Sequence, residues 1–370
     1  MREIPVAEPR AGMLEARADL VGAFESVLDG GSYILGNEVE RFEREWATRC
    51  GTTHAVGVSS GTDALALALR AVGVGPGDEV LVPAMTAVAT WMAVSQIGAV
   101  PVGVDIETAR NGMDPGRARR SVTSRTRALV AVHLFGQVAD VAGLGSVAEQ
   151  AGIPLVEDAA QAHGASVAGS PAGSLGAAAA FSFYPTKNLG TPGDAGAVTS
   201  DDPQVADRVR MLREYGWRTR ADAELTGINA RLDELHASLL SVMLARLHDA
   251  LARRRAIADA YLQGLAGIRG LDLPRPSAGE VHAWHLFVVR HPRRDALADA
   301  LSASGIGTAV HYRSVPPFNS AFTRGGARVG SFPVAELHAA QALSLPLYPQ
   351  LSAEEVERVV DRVSVACSRL

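Results

Sequence analysis

The sequence predicts an α/β protein: a mostly parallel sheet covered by helices on both faces, followed by a smaller α+β part. Three observations carry this expectation. From residue 54 to about residue 200, short apolar runs alternate with segments of helical length. Helical periodicity then dominates over 202–213 and 232–265, and beyond about Gly267 strand-like pieces and helices alternate again. At 370 residues and 47% hydrophobic content, the chain can build two domains or one large α/β domain with a lobe. The division expected is a large domain over 1–245, including an N-terminal arm, and a small domain over 246–370.

Residues 1–50 read as a short arm and then polar helices, with Gly30, Gly31 and Gly36 around Tyr33-Ile34-Leu35. Strands are expected at 55–58, 79–83, 100–104, 128–133, 153–156, 179–184 and 197–200, with helices at 62–72, 86–96 and 144–151 among the segments between them. In the C-terminal part, strands are expected at 284–289 and 308–312 and helices at 294–304, 334–343 and 353–366. Gly73, Gly75 and Gly77 follow a helix and enclose Pro76, which marks a turn rather than a nucleotide fingerprint.

Composition narrows the classes of function. A formal charge of −5 without a basic stripe argues against nucleic acid as the main partner. The two cysteines, Cys50 and Cys367, lie at opposite ends of the chain, which suits a reducing compartment and no disulfide framework. With no signal-like N-terminus and no apolar run of spanning length, the expectation is a cytoplasmic protein with no membrane partner. His282 and His285 would point to opposite faces of a strand, so no metal site is expected. Arg253, Arg254 and Arg255 read as a solvated helix face.

Lys187 is the only lysine in the chain; the other 34 of its 35 basic residues are arginine. Arginine serves wherever a charge or a long stem suffices, but it does not give up its proton. A desolvated lysine amine does, and can then attack a carbonyl to form an imine. The other reading is an exposed lysine. Lys187 stands where the apolar-aromatic run ending at Tyr184 opens into a loop shaped by Pro185, Gly190, Pro192, Gly193 and Gly196. Asp158 ends the buried run 153–156, at the carboxyl edge where open parallel sheets bind ligands. A carboxylate there needs a positive partner, and a protonated pyridine nitrogen opposite a lysine Schiff base is the arrangement of pyridoxal phosphate enzymes. A helix cap is the alternative. The turn Ser59-Ser60-Gly61-Thr62-Asp63, between a strand and a helix, either cradles a phosphate on backbone amides or merely caps the helix.

Four segments carry a family resemblance: Val156-Glu-Asp-Ala-Ala-Gln-Ala-His-Gly-Ala165, Phe181-Ser-Phe-Tyr-Pro-Thr-Lys-Asn-Leu-Gly190, Gly227-Ile-Asn-Ala-Arg-Leu-Asp-Glu-Leu235 and Leu343-Ser-Leu-Pro-Leu-Tyr348. Through them the chain resembles, over nearly its whole length, the DegT/DnrJ/EryC1/StrS sugar aminotransferases, which have the fold type I (aspartate aminotransferase-like) architecture with a seven-stranded sheet. The resemblance implies pyridoxal 5'-phosphate, held on Lys187 and passing through its pyridoxamine form. Asp158 would pair with the pyridine nitrogen, and Gln161 would approach the ring hydroxyl. Ser182, Gly61, Thr62 and Asp63 would bind the phosphate, joined by Asn229 from the neighbouring subunit of a homodimer with shared active sites. Tyr184, His311 and Tyr312 would lie toward the sugar, and Arg218, Arg220 and Arg231 would contact a nucleotide's phosphates or else form surface salt bridges.

One departure is Ala87, where the family usually has an aromatic residue stacked on the ring; Met85 or another side chain would cover it, or that face would be more open. Relatives that deoxygenate sugars have histidine in place of the lysine, so Lys187 points to transamination. The implied reaction moves an amino group from L-glutamate to a nucleotide-linked keto-sugar. A dTDP-3-keto-6-deoxyhexose is favoured by 89–95 and 283–287; a 4-keto sugar, a keto-cyclitol, the aminohydroxybenzoate branch and a non-catalytic regulatory protein stay open.

Overall fold

The computed structural model describes residues 3–322 and 326–370. Seven strands form the central sheet, in spatial order His54–Val58, Gly196–Ser200, Ala178–Ser182, Leu155–Asp158, Thr126–Val132, Glu79–Pro83 and Val100–Val104. Only Gly196–Ser200 runs against its neighbours; the four pairings from Ala178–Ser182 to Val100–Val104 are parallel. Such strands, covered on both faces, are continuous apolar runs, and Glu79–Pro83 is buried at every position. Register then places the chemistry: Val132 pairs with Asp158 and Asp158 with Ala180, so the carboxylate emerges at the carboxyl edge of the sheet.

Two helices bring this edge together. In Gly61–Ala71, residues 64 to 69 are all buried, as expected of a helix apolar on every side and sunk in the core. Ser60 caps it, its side chain accepting from the Asp63 N–H at 3.1 Å. The helix starts directly against a strand: a Cβ on Gly61 would lie 2.4 Å from Ser182 Cβ. Asn37–Cys50 buries Val39, Phe42, Trp46, Ala47 and Cys50 at helical spacing, and its rings pack edge-on against Phe181 and Phe183. Its own cap residue, Gly36, offers no side chain, and the role falls to the distant Glu234. That carboxylate accepts from the N–H groups of Gly36, Glu38 and Val39, each at 2.9 Å.

The C-terminal part departs from several sequence expectations. The helical run 232–265 is two helices, Glu234–Ala245 and Leu247–Gly264, divided at Arg246. Arg254 is buried rather than solvated, because it falls on the stripe that also buries Leu247, Leu251, Ala258 and Tyr261. Its guanidinium donates to the carbonyls of Trp284 (3.1 Å), His285 (3.3 Å) and Leu347 (3.0 Å), and burial lowers its pKa to about 10. The strand expected at 284–289 is Phe287–Arg290, and its antiparallel partner Ala342–Leu345 takes up what read as the end of a helix. Residues 308–312 make only one bridge among the described residues, Ala309 to Ser344. His282 and His285 lie outside any strand and are both buried, so alternation does not govern them. Among the described residues no cluster of metal-ligating side chains occurs, and no helix is long and apolar enough to cross a membrane.

Candidate active site

A cavity of about 240 Å³ opens at the carboxyl edge of the sheet, where the Ser59–Asp63 turn, the strand ends at Val132, Asp158 and Ser182, and the Lys187 loop converge. Of the residues singled out from sequence, Gly61, Thr62, Asp158, Gln161, Ser182, Tyr184 and Lys187 border it. The loop turns tightly, with the Lys187 N–H donating to the Tyr184 carbonyl at 2.8 Å. Lys187 keeps part of its surface open, yet protein atoms crowd its amine closely enough that desolvation, partly opposed by the charge of Asp158, lowers its pKa to about 8. It makes no ion pair among the described residues. A second cavity, also about 240 Å³, shares this lysine as a lining residue and is bordered further by His285, His311, Arg254 and the N-terminal segment 6–9. Burial lowers the pKa of both histidines there.

Asp158 is oriented by a short relay. Its Oδ2 accepts from Thr90 Oγ1 at 2.7 Å, and that hydroxyl lies 2.8 Å from Thr86 Oγ1. Oδ1 accepts from the Ala160 N–H at 3.2 Å, but no helix follows, so Asp158 is not a helix cap. Its neighbour Glu157 points into the core, where it accepts from Gly173, Leu175 and Gly176 N–H groups at 2.7–2.9 Å. Glu157 also lies 2.8 Å from His133 Nε2; the Ala139 N–H occupies His133 Nδ1, which leaves Nε2 as the donor. Adjacent carboxylates thus have separate duties: Glu157 pins the loop before strand Ala178–Ser182, and Asp158 serves the cavity.

At the other end of the cavity, Asp63 N donates to Ser60, while the N–H groups of Gly61 and Thr62 have no partner among the described residues. With Ser182 beside them they form a cradle of neutral donors at a helix N-terminus, the recurring site for a phosphate group. Asp63 itself does not border the cavity, because its carboxylate is held by the hydroxyls of Ser59 (2.5 Å) and Ser60 (2.8 Å). An amine able to lose its proton, an oriented carboxylate and an anion cradle are the donor set that pyridoxal phosphate needs. Ala87 and Leu134 border the cavity, with no aromatic side chain at the position where the family usually has one; Met85 is buried in the core and does not border the cavity.

Other sequence-derived residues lie elsewhere on the single chain. Asn229 is exposed and pairs through its backbone with Glu214. Arg218 is exposed and pairs with Glu224, and Arg220 is exposed. Arg231 is half-buried, 3.7 Å from Glu214 and over the Tyr215 ring. His311 borders the second cavity, whereas the Tyr312 hydroxyl meets Gln161. Thr86, Thr90, Leu134 and Arg254 were not singled out for the site; a small polar pair spaced four apart after a strand was the available sign for the two threonines.

Comparison with known proteins is consistent with this geometry. A model of the DegT/DnrJ/EryC1/StrS aminotransferase family matches residues 15–364. The dTDP-3-amino-3,4,6-trideoxy-alpha-D-glucose transaminase of Streptomyces venezuelae is 48% identical over 97% of this chain and 95% of its own length. The dTDP-3-amino-3,6-dideoxy-alpha-D-galactopyranose transaminase of Aneurinibacillus thermoaerophilus is 42% identical, over 98% and 99% respectively. The crystal structure of S. venezuelae DesV in complex with a ketimine intermediate superposes with a TM-score of 0.97 over the whole of both chains, at 47% identity. The chain therefore belongs to the DegT/DnrJ/EryC1/StrS aminotransferase family and is a pyridoxal phosphate-dependent aminotransferase.

Proposed function

We propose that this aminotransferase moves an amino group from L-glutamate to the 3-keto carbon of a dTDP-linked 6-deoxyhexose, in amino-deoxysugar biosynthesis. The observation that carries the reading is the Lys187 amine, with its pKa lowered to about 8, bordering one cavity with the oriented Asp158 and the Gly61-Thr62 cradle. The choice of sugar is supported by the two relatives above, both named for a dTDP-linked 3-amino sugar.

Pyridoxal phosphate, when bound, supplies an electron sink that makes the substrate carbon acidic and carries the amino group between the two half-reactions. Lys187 would hold it covalently, and its amine, neutral when released, would serve as the base that takes up and gives back the proton of the donor carbon. Asp158, kept in place by Thr90, would hold the proton on the ring nitrogen. Gly61, Thr62 and Ser182 would bind the phosphate, with Asp63 fixing the Ser60 cap behind them. Gln161 would face the ring oxygen.

In a homodimer, Asn229 of the second copy would complete the phosphate site; its exposure on the single chain, with exposed Phe24, Leu28, Tyr33, Ile34 and Ile228, supports such an interface. Tyr184 and His311 would contact the sugar, and Arg218, Arg220 and Arg231 the nucleotide's phosphates. In this reading the chain divides into a large domain over 1–245 and a small one over 246–370, and works in the cytoplasm.

The test is an absorbance spectrum with added pyridoxal phosphate, before and after L-glutamate, followed by mass spectrometry of a dTDP-3-keto-6-deoxyhexose incubated with the enzyme. A visible band that fades with glutamate, together with an aminated sugar, is the expected result. A band that ignores glutamate, or a panel in which only 4-keto sugars are aminated, would overturn the donor or the acceptor respectively.

A further inference from the structure

Gln161 is gripped at both ends of its amide, and the two grips come from distant parts of the chain. Its Oε1 accepts from the Phe135 N–H at 2.6 Å. That bond settles which end of the amide is oxygen, because a backbone N–H can only donate. Nε2 then donates to the Tyr312 hydroxyl at 2.9 Å, across 151 positions of sequence. One bond alone would leave the amide plane free to turn about the Oε1–N axis. The second stops that rotation and leaves one N–H of Nε2 uncommitted, in a residue that borders the cavity with Asp158 and Lys187.

Both grips are themselves anchored. Phe135 and Gly136 have φ of +62° and +97°, a left-handed turn that presents the Phe135 N–H to Gln161. The turn is locked to the segment 283–286: the carbonyls of Phe135 and Gly136 accept from the N–H groups of His285 (3.0 Å) and Ala283 (2.8 Å). The fit is close, for a Cβ on Gly136 would come within 3.0 Å of the His285 and Trp284 nitrogens. On the other side, Tyr312 follows His311, whose Nδ1 lies 2.8 Å from Ser344 Oγ on the strand Ala342–Leu345. Burial pushes the Tyr312 phenol up to about 12, so its lone pairs remain available to Gln161 with the hydroxyl proton in place.

We propose that Tyr312 is a positioning residue for the cofactor rather than a sugar contact: it fixes Gln161 so that the remaining N–H faces the ring oxygen of pyridoxal phosphate. This rests on the cofactor reading above and adds a consequence to it. A hydrogen bond donated to the ring oxygen favours its anionic form, so the proton affinity of the Schiff-base and ring-oxygen pair is set partly by how the C-terminal part seats Tyr312. The proton balance is simple: no bond to carbon is made or broken, and one proton moves between solvent and that pair.

The experiment is a pH titration of the visible absorbance of the loaded enzyme, for wild type, Tyr312→Phe, Gln161→Leu and the double variant. Tyr312→Phe removes one oxygen and is expected to raise the midpoint by roughly half a pH unit or more. Gln161→Leu should raise it at least as far, and the double variant no further than Gln161→Leu alone, because Tyr312 acts through Gln161. A Tyr312→Phe midpoint equal to wild type, with only the KM for the keto-sugar raised, would overturn the proposal and return Tyr312 to the substrate. Shifts that add in full would also overturn it, since Tyr312 would then act independently. Failure of the cofactor reading looks different: wild type itself would show no visible band.

Discussion

A lysine that titrates near pH 8 instead of 10.5 changes how fast the enzyme can capture its cofactor, and the change is large enough to measure. With that pKa, about a quarter of Lys187 amines are neutral at about pH 7.5, against about one in a thousand for an unperturbed lysine, a gain of roughly 200-fold in reactive amine. The assay mixes apoenzyme rapidly with pyridoxal phosphate and follows the visible band at a series of pH values. Below about pH 8 the capture rate should rise close to tenfold per unit, and above it level off. The causes are separable. Burial lowers the pKa and Asp158 raises it, so Asp158→Asn should move the midpoint to lower pH even as it weakens cofactor retention. A wild-type midpoint near 10.5 would refute the desolvation argument; a midpoint that rises in Asp158→Asn would refute the assigned role of its charge.

The same shift affects stability. The native pKa lies below the unfolded value of 10.5, so the folded apoprotein bears a desolvation cost while Lys187 is charged, below about pH 8, and sheds it as pH rises toward 10.5. Urea unfolding of the apoprotein should therefore show a stability gain across that window that Lys187→Met removes. Gly61→Ala would place a methyl 2.4 Å from Ser182 Cβ and push the helix N-terminus off the strand end; pyridoxal phosphate affinity by equilibrium dialysis should fall about tenfold or more, with secondary structure by circular dichroism unchanged. Glu234→Ala strips three N–H groups of their acceptor, and chemical denaturation should register a loss of about 2–4 kcal/mol.

The large sheet was legible because parallel strands buried on both faces are continuous apolar runs, and each expected strand was found within a few residues. Errors gathered in the C-terminal part. There the strands are short, and Ala342–Leu345 follows the helix Pro333–Gln341 without a break, so a helical pattern ran straight into it. Arg254 misled for a different reason. Periodicity marks where a helix is buried, but three consecutive arginines look like solvent, and the carbonyls that accept its protons lie 30 to 93 positions away.

By itself, the sequence determined the class of chemistry. A single lysine in an arginine-rich chain, a carboxylate at the end of a buried strand and a small-residue turn before a helix are local features, and local features survive in linear order. Tertiary structure decided what those groups are able to do. The pKa of Lys187 comes from burial by several segments, the separate duties of Glu157 and Asp158 from which face of a strand each occupies, and the cap on Asn37–Cys50 from a glutamate 195 positions away. The grip of Tyr312 on Gln161 is of the same kind. Desolvation and hydrogen bonding depend on distances through space, and only the folded chain sets those.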